Sequence, residues 1–176
     1  GEADLPTAAK RGAELFFGRA GCSRCHGGDD FMSVTDAEGG VTSEHGFFNV
    51  GLYDVDGQGS YPEGRTGLHA ATGEAADMGV VRVPTLRNVE RSGPWFSDGT
   101  GASLDDVVAV FDRGGRLTAS GPNVGDGRDS PRKSPLLRPL GLSQGERDDL
   151  VEFLRSLTDT AFIENPNFAN PFPPEE

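Results

Sequence analysis

An all-α domain with long loops and little or no β structure is the fold class this sequence predicts, and three observations predict it. Three segments carry apolar residues at helical spacing, and no long run alternates at strand spacing. Glycine and proline fill 38 of the 176 positions, about 22 %, short of a disordered composition but demanding loops. The only two cysteines lie within one five-residue run, Cys22-Ser23-Arg24-Cys25-His26. A chain so rich in loops has a modest core, and a large apolar group bound at that run would add the surface it lacks.

The first helix is expected from Thr7 to Phe17, with Thr7 as N-cap and Gly12, Leu15 and Phe16 on one face. A glycine inside a helix costs about 1 kcal/mol relative to alanine, so Gly12 predicts a second helix crossing close above it. Residues 27–101 show many turn signals, among them Asp56-Gly57 and Pro62-Glu63-Gly64, and only Val80, Val81 and Val83 suggest a short strand. A loop of that length needs something to organise it. Ser103, with Asp105 and Asp106 after it, opens a further helix whose Leu104, Val107, Val108 and Phe111 share a face, and Gly114-Gly115 stops it. Residues 119–138 read as a polar, proline-punctuated surface loop. Ser143 and Glu146 form a capping box before Leu150, Phe153, Leu154 and Leu157 at i, i+3, i+4, i+7, and this last helix is the expected partner of Gly12. One domain is expected over 1–160, followed by a Pro/Phe-rich tail over 161–176 whose Phe162, Phe168 and Phe172 lie on the body or dock a partner.

C-x-x-C-H is the attachment signature of a c-type haem. Each thiol adds across one vinyl group of the porphyrin, and His26 becomes an axial ligand of the iron, so one covalent haem is expected. A structural zinc site needs four N or S ligands, and beyond the motif the chain has only His45 and His69. A thioredoxin-like pair would sit at a strand-to-helix junction, whereas Cys22 follows a helix. A lone disulfide would have no framework to join. Haem c is attached outside the cytoplasmic membrane in bacteria, so a periplasmic or extracytoplasmic location is expected, the export signal being removed or lying outside this sequence. The formal charge of −12 argues against nucleic acid and suits a basic partner. No run of 18 or more apolar residues predicts a membrane span.

Several ordered blocks go further. Arg11-Gly12, Leu15-Phe16-Phe17, Cys22 to Gly28, Phe48 to Tyr53, Thr66-Gly67, Asp77-Met78-Gly79, Arg82 to Val89, Pro94 to Gly99, Ser103-Leu104 and Phe153 to Thr158 together resemble the C-terminal haem domain of bacterial dihaem cytochrome c peroxidases and MauG-type enzymes. Gly51-Leu52-Tyr53-Asp54 and Lys133-Ser134-Pro135 are similar to the branch associated with methanobactin, a copper peptide. The resemblance implies a class I cytochrome c-like fold in which first and last helices cross beside the haem. It also implies that the Pro84 carbonyl accepts a hydrogen bond from the proximal imidazole, that Leu86 packs on the porphyrin and that Arg87 meets a propionate. Trp95 and Phe96 would neighbour an electron exit route. Ser92 and Pro94 match a turn that helps hold calcium between two haem domains, and this chain offers only one C-x-x-C-H.

The departures from the family are equally informative. Phe48 and Ser97 stand where relatives carry histidines, and Phe111 stands at the position of the sixth iron ligand, which phenylalanine cannot be. Candidates for the far side of the iron are His69, His45 and Met78, besides water or a group from another chain; Met32 is too near His26 in sequence. Two functions follow as expectations. One is a mono-haem electron carrier or subunit of a larger redox assembly, working with a redox partner protein. The other is the haem-bearing half of a dihaem peroxidase or MauG-like oxidase, completed by a second haem domain or chain.

Overall fold

The computed structural model describes residues 4–36, 38–43, 46–169 and 171–172. Its helices are α1 (Thr7–Phe17), α2 (His69–Thr72), α3 (Leu104–Arg113), α4 (Gln144–Ser156) and α5 (Thr160–Ile163). Helices α1 and α4 form the main packed pair, as Gly12 predicts. A Cβ built on Gly12 would lie 2.0 Å from the carbonyl oxygen of Asp149 and 2.8 Å from Cβ of Phe153, so only glycine permits this approach. Arg11 seals the crossing with two hydrogen bonds to Asp149, at 2.7 Å and 2.5 Å, and Arg19 pairs with Glu146. Phe16 and Val151 are fully buried at the contact, and the core extends through Phe153, Leu104, Val108 and Leu86.

The helix ends follow the local chemistry of the sequence, with one correction. Ser143 and Glu146 make both halves of the capping box on α4. The Ser103 hydroxyl accepts from the Asp106 amide at 3.0 Å to open α3, and Gly114, at φ 79°, closes it in the left-handed region that suits glycine. Thr7 is not the cap of α1. Pro6 occupies that position, its carbonyl accepting from the Lys10 amide at 3.0 Å, and Thr7 is the first helical residue.

The loops carry more β structure than the sequence shows, although the domain is helical in its main packing. Strands β1 (Val34–Thr35), β2 (Val41–Ser43), β3 (Phe47–Asn49), β4 (Val80–Arg82), β5 (Leu117–Thr118) and β6 (Gly125–Asp126) form three antiparallel two-stranded ribbons, β1–β2, β3–β4 and β5–β6. Strand β4 falls where Val80 and Val81 indicate, with Phe48 opposite Val81. Strands of two or three residues are too short for alternation to register. Part of 119–138 is packed rather than superficial. Gly127 is buried, and a Cβ there would meet the Gly51 oxygen at 1.9 Å. In the tail, Asp159 caps α5 and Asn165 caps a turn at Pro166–Phe168, so Phe162 and Phe168 stack at 4.9 Å while remaining exposed. Among the described residues, no helix is long and apolar enough to cross a membrane.

Replacing Gly12 with valine forces α1 and α4 apart. The expected loss is about 2–3 kcal/mol, or roughly 5–10 °C in Tm, read by circular dichroism melts. Ser143→Ala, which removes only a cap, is expected to cost about 1 kcal/mol; equal losses from the two would contradict the crossing as the tighter constraint.

Candidate haem-attachment site

Helix α1 delivers the chain directly into the cysteine motif. Ala20 bonds back to the Leu15 carbonyl at 3.1 Å, Gly21 turns the chain at φ 66°, and Cys22–Arg24 forms a 3-10 turn. The amides of Cys25 and His26 both donate to the Cys22 carbonyl, at 3.2 and 3.0 Å, so the two thiols and the imidazole project from one turn. Thr35 on β1 ties it down by donating its hydroxyl to the Ser23 carbonyl at 3.0 Å.

A tight loop follows, closed by reciprocal hydrogen bonds between Gly27 and Ser33 at 2.8 and 3.0 Å. Phe31 within it has φ 56°, a left-handed conformation that costs a non-glycine residue of order 1–3 kcal/mol. That conformation sets the Phe31 carbonyl 2.9 Å from Nδ1 of His26. A carbonyl only accepts, so Nδ1 carries the proton and Nε2 keeps its lone pair, the state required of a metal-ligating histidine. Burial lowers the His26 pKa and favours the neutral ring, against the opposite pull of the Phe31 and Pro84 carbonyls.

Residues 84–87 form a strap across this loop. The Thr85 hydroxyl donates to the Asp30 carbonyl at 2.5 Å, and Arg87 donates from Nε and Nη2 to the Asp29 carbonyl at 3.2 and 2.8 Å. These bonds bring the Pro84 carbonyl near the imidazole, but the Nδ1 hydrogen bond goes to Phe31, where the resemblance implied Pro84. Leu86, between them, is buried against the α1–α4 core. Arg87 is exposed, with part of its guanidinium committed to Asp29.

The donor chemistry fits a covalently attached porphyrin better than a bare metal ion. Cys22 and Cys25 are free thiols, and loss of solvent pushes the Cys22 thiol up to about 12 and raises Cys25 as well. The two thiols with His26 make three N or S donors from one turn, one short of the four that a structural zinc site takes. Among the described residues no group of three or more His, Cys, Asp or Glu side chains converges to hold a metal.

The remaining candidates are dispersed. Trp95 donates its indole N–H to the Val89 carbonyl at 3.0 Å and packs on the main core. Phe111 is partly buried and faces Phe96 at 6.3 Å between ring centroids. Met78 packs against a second apolar cluster of Leu52, Tyr53 and Tyr61. His69 opens α2 with Nδ1 2.8 Å from the Glu74 carbonyl, and His45 lies outside the described residues.

The sequence reading missed two groups. The Phe31 carbonyl had no signature, because backbone orientation rather than residue type aims it. The second group is a polar network at Asp98, whose side chain is 1 % exposed. Its carboxylate accepts from the Tyr53 hydroxyl at 2.8 Å, the Thr100 hydroxyl at 2.7 Å and amide at 3.1 Å, and Arg116 at 2.7 Å. The Arg116 guanidinium lies 4.3 Å over the Tyr53 ring. The Asp98-Gly99 turn signal marks the position but not its partners.

No family model matches the chain. The cytochrome-c peroxidase IdrP1 of Denitromonas iodatirespirans is 31 % identical over 90 % of this chain and 42 % of its own length. The methylamine utilization protein MauG of Methylorubrum extorquens is 29 % identical over 89 % of this chain and 36 % of its length. Among solved structures, a MauG-like protein associated with microbial copper homeostasis superposes with a TM-score of 0.89 at 42 % identity, covering 97 % of this chain and 49 % of that one. The diheme peroxidase BthA from Burkholderia thailandensis shares the fold, with a TM-score of 0.59. The chain thus spans between about a third and a half of the length of these relatives, matching their C-terminal-domain part.

The Asp98 network carries a pH signature. Burial works to raise the Asp98 pKa, but the hydrogen bonds from Thr100, Tyr53 and Arg116 outweigh it and hold the carboxyl down at about 2. A pKa below its unfolded value contributes stability that is full above about pH 4 and is lost as pH falls towards about 2. Asp98→Asn is expected to lose about 2 kcal/mol at neutral pH and to flatten the stability curve between those limits, measured by urea unfolding at stepped pH.

Proposed function

Because this chain belongs to the dihaem cytochrome c peroxidase and MauG family, we propose that it is a c-type haem domain passing single electrons, as a carrier or as a subunit of a larger redox assembly. The observation that carries this reading is the His26 imidazole, fixed by the Phe31 carbonyl at 2.9 Å with Nε2 left for iron, one residue from the second of two free thiols. A haem c joined to Cys22 and Cys25 would supply a one-electron ferric/ferrous couple. His26 would be its proximal ligand, the Phe31 and Pro84 carbonyls would orient the ring and raise its basicity, and Leu86 would meet the porphyrin from the core side. Arg87 would pair with a propionate through the part of its guanidinium that Asp29 does not occupy.

On the far side, Phe111 offers no ligand, and the iron would be five-coordinate or completed by His69, His45, water or a partner's group. Met78 is engaged with the Leu52, Tyr53 and Tyr61 cluster, which argues against a sulfur ligand. A thioether raises the potential of a cytochrome c haem, so a low potential is expected. The partner would be a redox protein, with another haem domain one candidate, met outside the cytoplasmic membrane. A calcium near Ser92 and Pro94 would need a second domain to complete its site.

A second reading is favoured by one observation: relatives matched over some 90 % of this chain are peroxidases more than twice its length. In that reading the chain is the haem-bearing half of a dihaem peroxidase or MauG-like oxidase, acting with a second haem domain.

A potentiometric titration of the holoprotein is expected to give a one-electron transition that Met78→Leu leaves in place, and the ferrous form is expected to bind carbon monoxide. Low-spin His/Met spectra that collapse in Met78→Leu would overturn the ligand assignment. Peroxide turnover by this domain alone would overturn the carrier reading, whereas turnover appearing only with a second haem domain would establish the alternative. Cys22→Ala and Cys25→Ala together are expected to abolish haem-stained bands in denaturing gels.

A further inference from the structure

The Tyr53 network has no part in haem attachment, yet it has the makings of a second redox group. Tyr53 is 8 % exposed, and its hydroxyl points along a 2.8 Å hydrogen bond into Asp98, whose side chain is itself buried. On one side its ring meets Tyr61 edge-on at 5.4 Å. Phe96 packs on the same cluster and leads to Phe111. On another side Tyr53 lines a cavity of about 260 Å³, together with Thr100, Arg116, Leu117, Ser120 and Asn123. The phenol thus lies between a surface recess and an aromatic interior, with an ionised base fixed to its proton.

We propose that Tyr53 is a one-electron redox residue whose phenolic proton passes to Asp98 as the electron leaves. The electron goes to a high-potential one-electron oxidant of the metal-complex class, which is reduced by one unit. The Tyr53 O–H bond breaks, the proton joins Oδ2 of Asp98, and a neutral phenoxyl radical remains beside a neutral carboxylic acid. Return of one electron from a reductant restores the O–H bond and the carboxylate. Arg116 favours the coupling. A cation 4.3 Å over the ring opposes any build-up of positive charge on it, so electron loss without proton loss is disfavoured. Asp98 is ionised across the physiological range and is the one carboxylate hydrogen-bonded to the phenol among the described residues.

The composition makes the test unambiguous, since the whole chain has two tyrosines and one tryptophan. The holoprotein is mixed with hexachloroiridate(IV), which accepts one electron, and frozen for electron paramagnetic resonance. A tyrosyl radical is expected in the wild type. Tyr53→Phe is expected to cut it by about tenfold or more, because the substitution keeps the ring and deletes only the hydroxyl. Tyr61→Phe and Trp95→Phe are expected to leave it within about twofold, because neither touches the Tyr53–Asp98 bond. Asp98→Asn, with its fold verified by circular dichroism, is expected to cut the signal by about fivefold or more, the amide being no base. No tyrosyl radical in the wild type, or a signal that survives Tyr53→Phe, overturns the proposal. A signal lost in Tyr53→Phe but intact in Asp98→Asn overturns the role of Asp98. The oxidant acts without the haem, so failure here leaves the electron-transfer reading standing.

Discussion

The approach of helix α1 to helix α4 at Gly12 is the constraint on which the rest of the domain depends. The space a side chain would need there is already filled by the Asp149 backbone, so the closest approach of the two helices is set at Gly12. Because α1 ends at Phe17 and the cysteine turn begins at Cys22, fixing the crossing fixes where the thiols and His26 emerge. Leu86 and Val89 pack into the same core, so the crossing also locates the strap that approaches the imidazole. One glycine contact therefore aligns two segments some sixty residues apart.

Away from that core, cationic side chains hold the loops by satisfying backbone carbonyls. Arg87 reaches Asp29, Arg116 reaches Leu52, Arg132 reaches Gln58 and Ala75, and Lys133 donates to Gly114 and Leu137 at 2.9 and 2.8 Å. Lys133 does so at a cost, since burial lowers its pKa. Such bonds suit a chain with few apolar residues to spare, because buried carbonyls must find donors and strands of two or three residues supply few. A strongly acidic protein thereby commits several of its 16 cationic side chains to its own backbone.

The parts of this organisation that were legible in the sequence are those written in residue type. The capping box at Ser143, the cap at Ser103, the glycine stop after α3, the unusual Gly12 and the C-x-x-C-H run all depend on what a side chain is. What was not legible depends on where the backbone points. The ribbon β1–β2 and the left-handed Phe31 arise in short irregular segments without periodicity, and the inward packing of Gly127 against Gly51 arises from a contact between distant segments. Asp98 lies between: an Asp-Gly pair is written in residue type, but the partners Tyr53 and Arg116 are 45 positions before and 18 after Asp98. The long loop of residues 27–101 was expected to need an organiser, and the observed stitching by arginines supplies part of one.

The loop that orients His26 is local, running from Gly27 to Ser33 immediately after the motif, whereas the strap that covers it comes from residues 84–87. Contacts close in sequence form before those that must close a loop of some sixty residues. The orientation of the His26 ring thus depends on contacts that the chain makes within seven residues of the motif, and only its cover depends on the long-range fold.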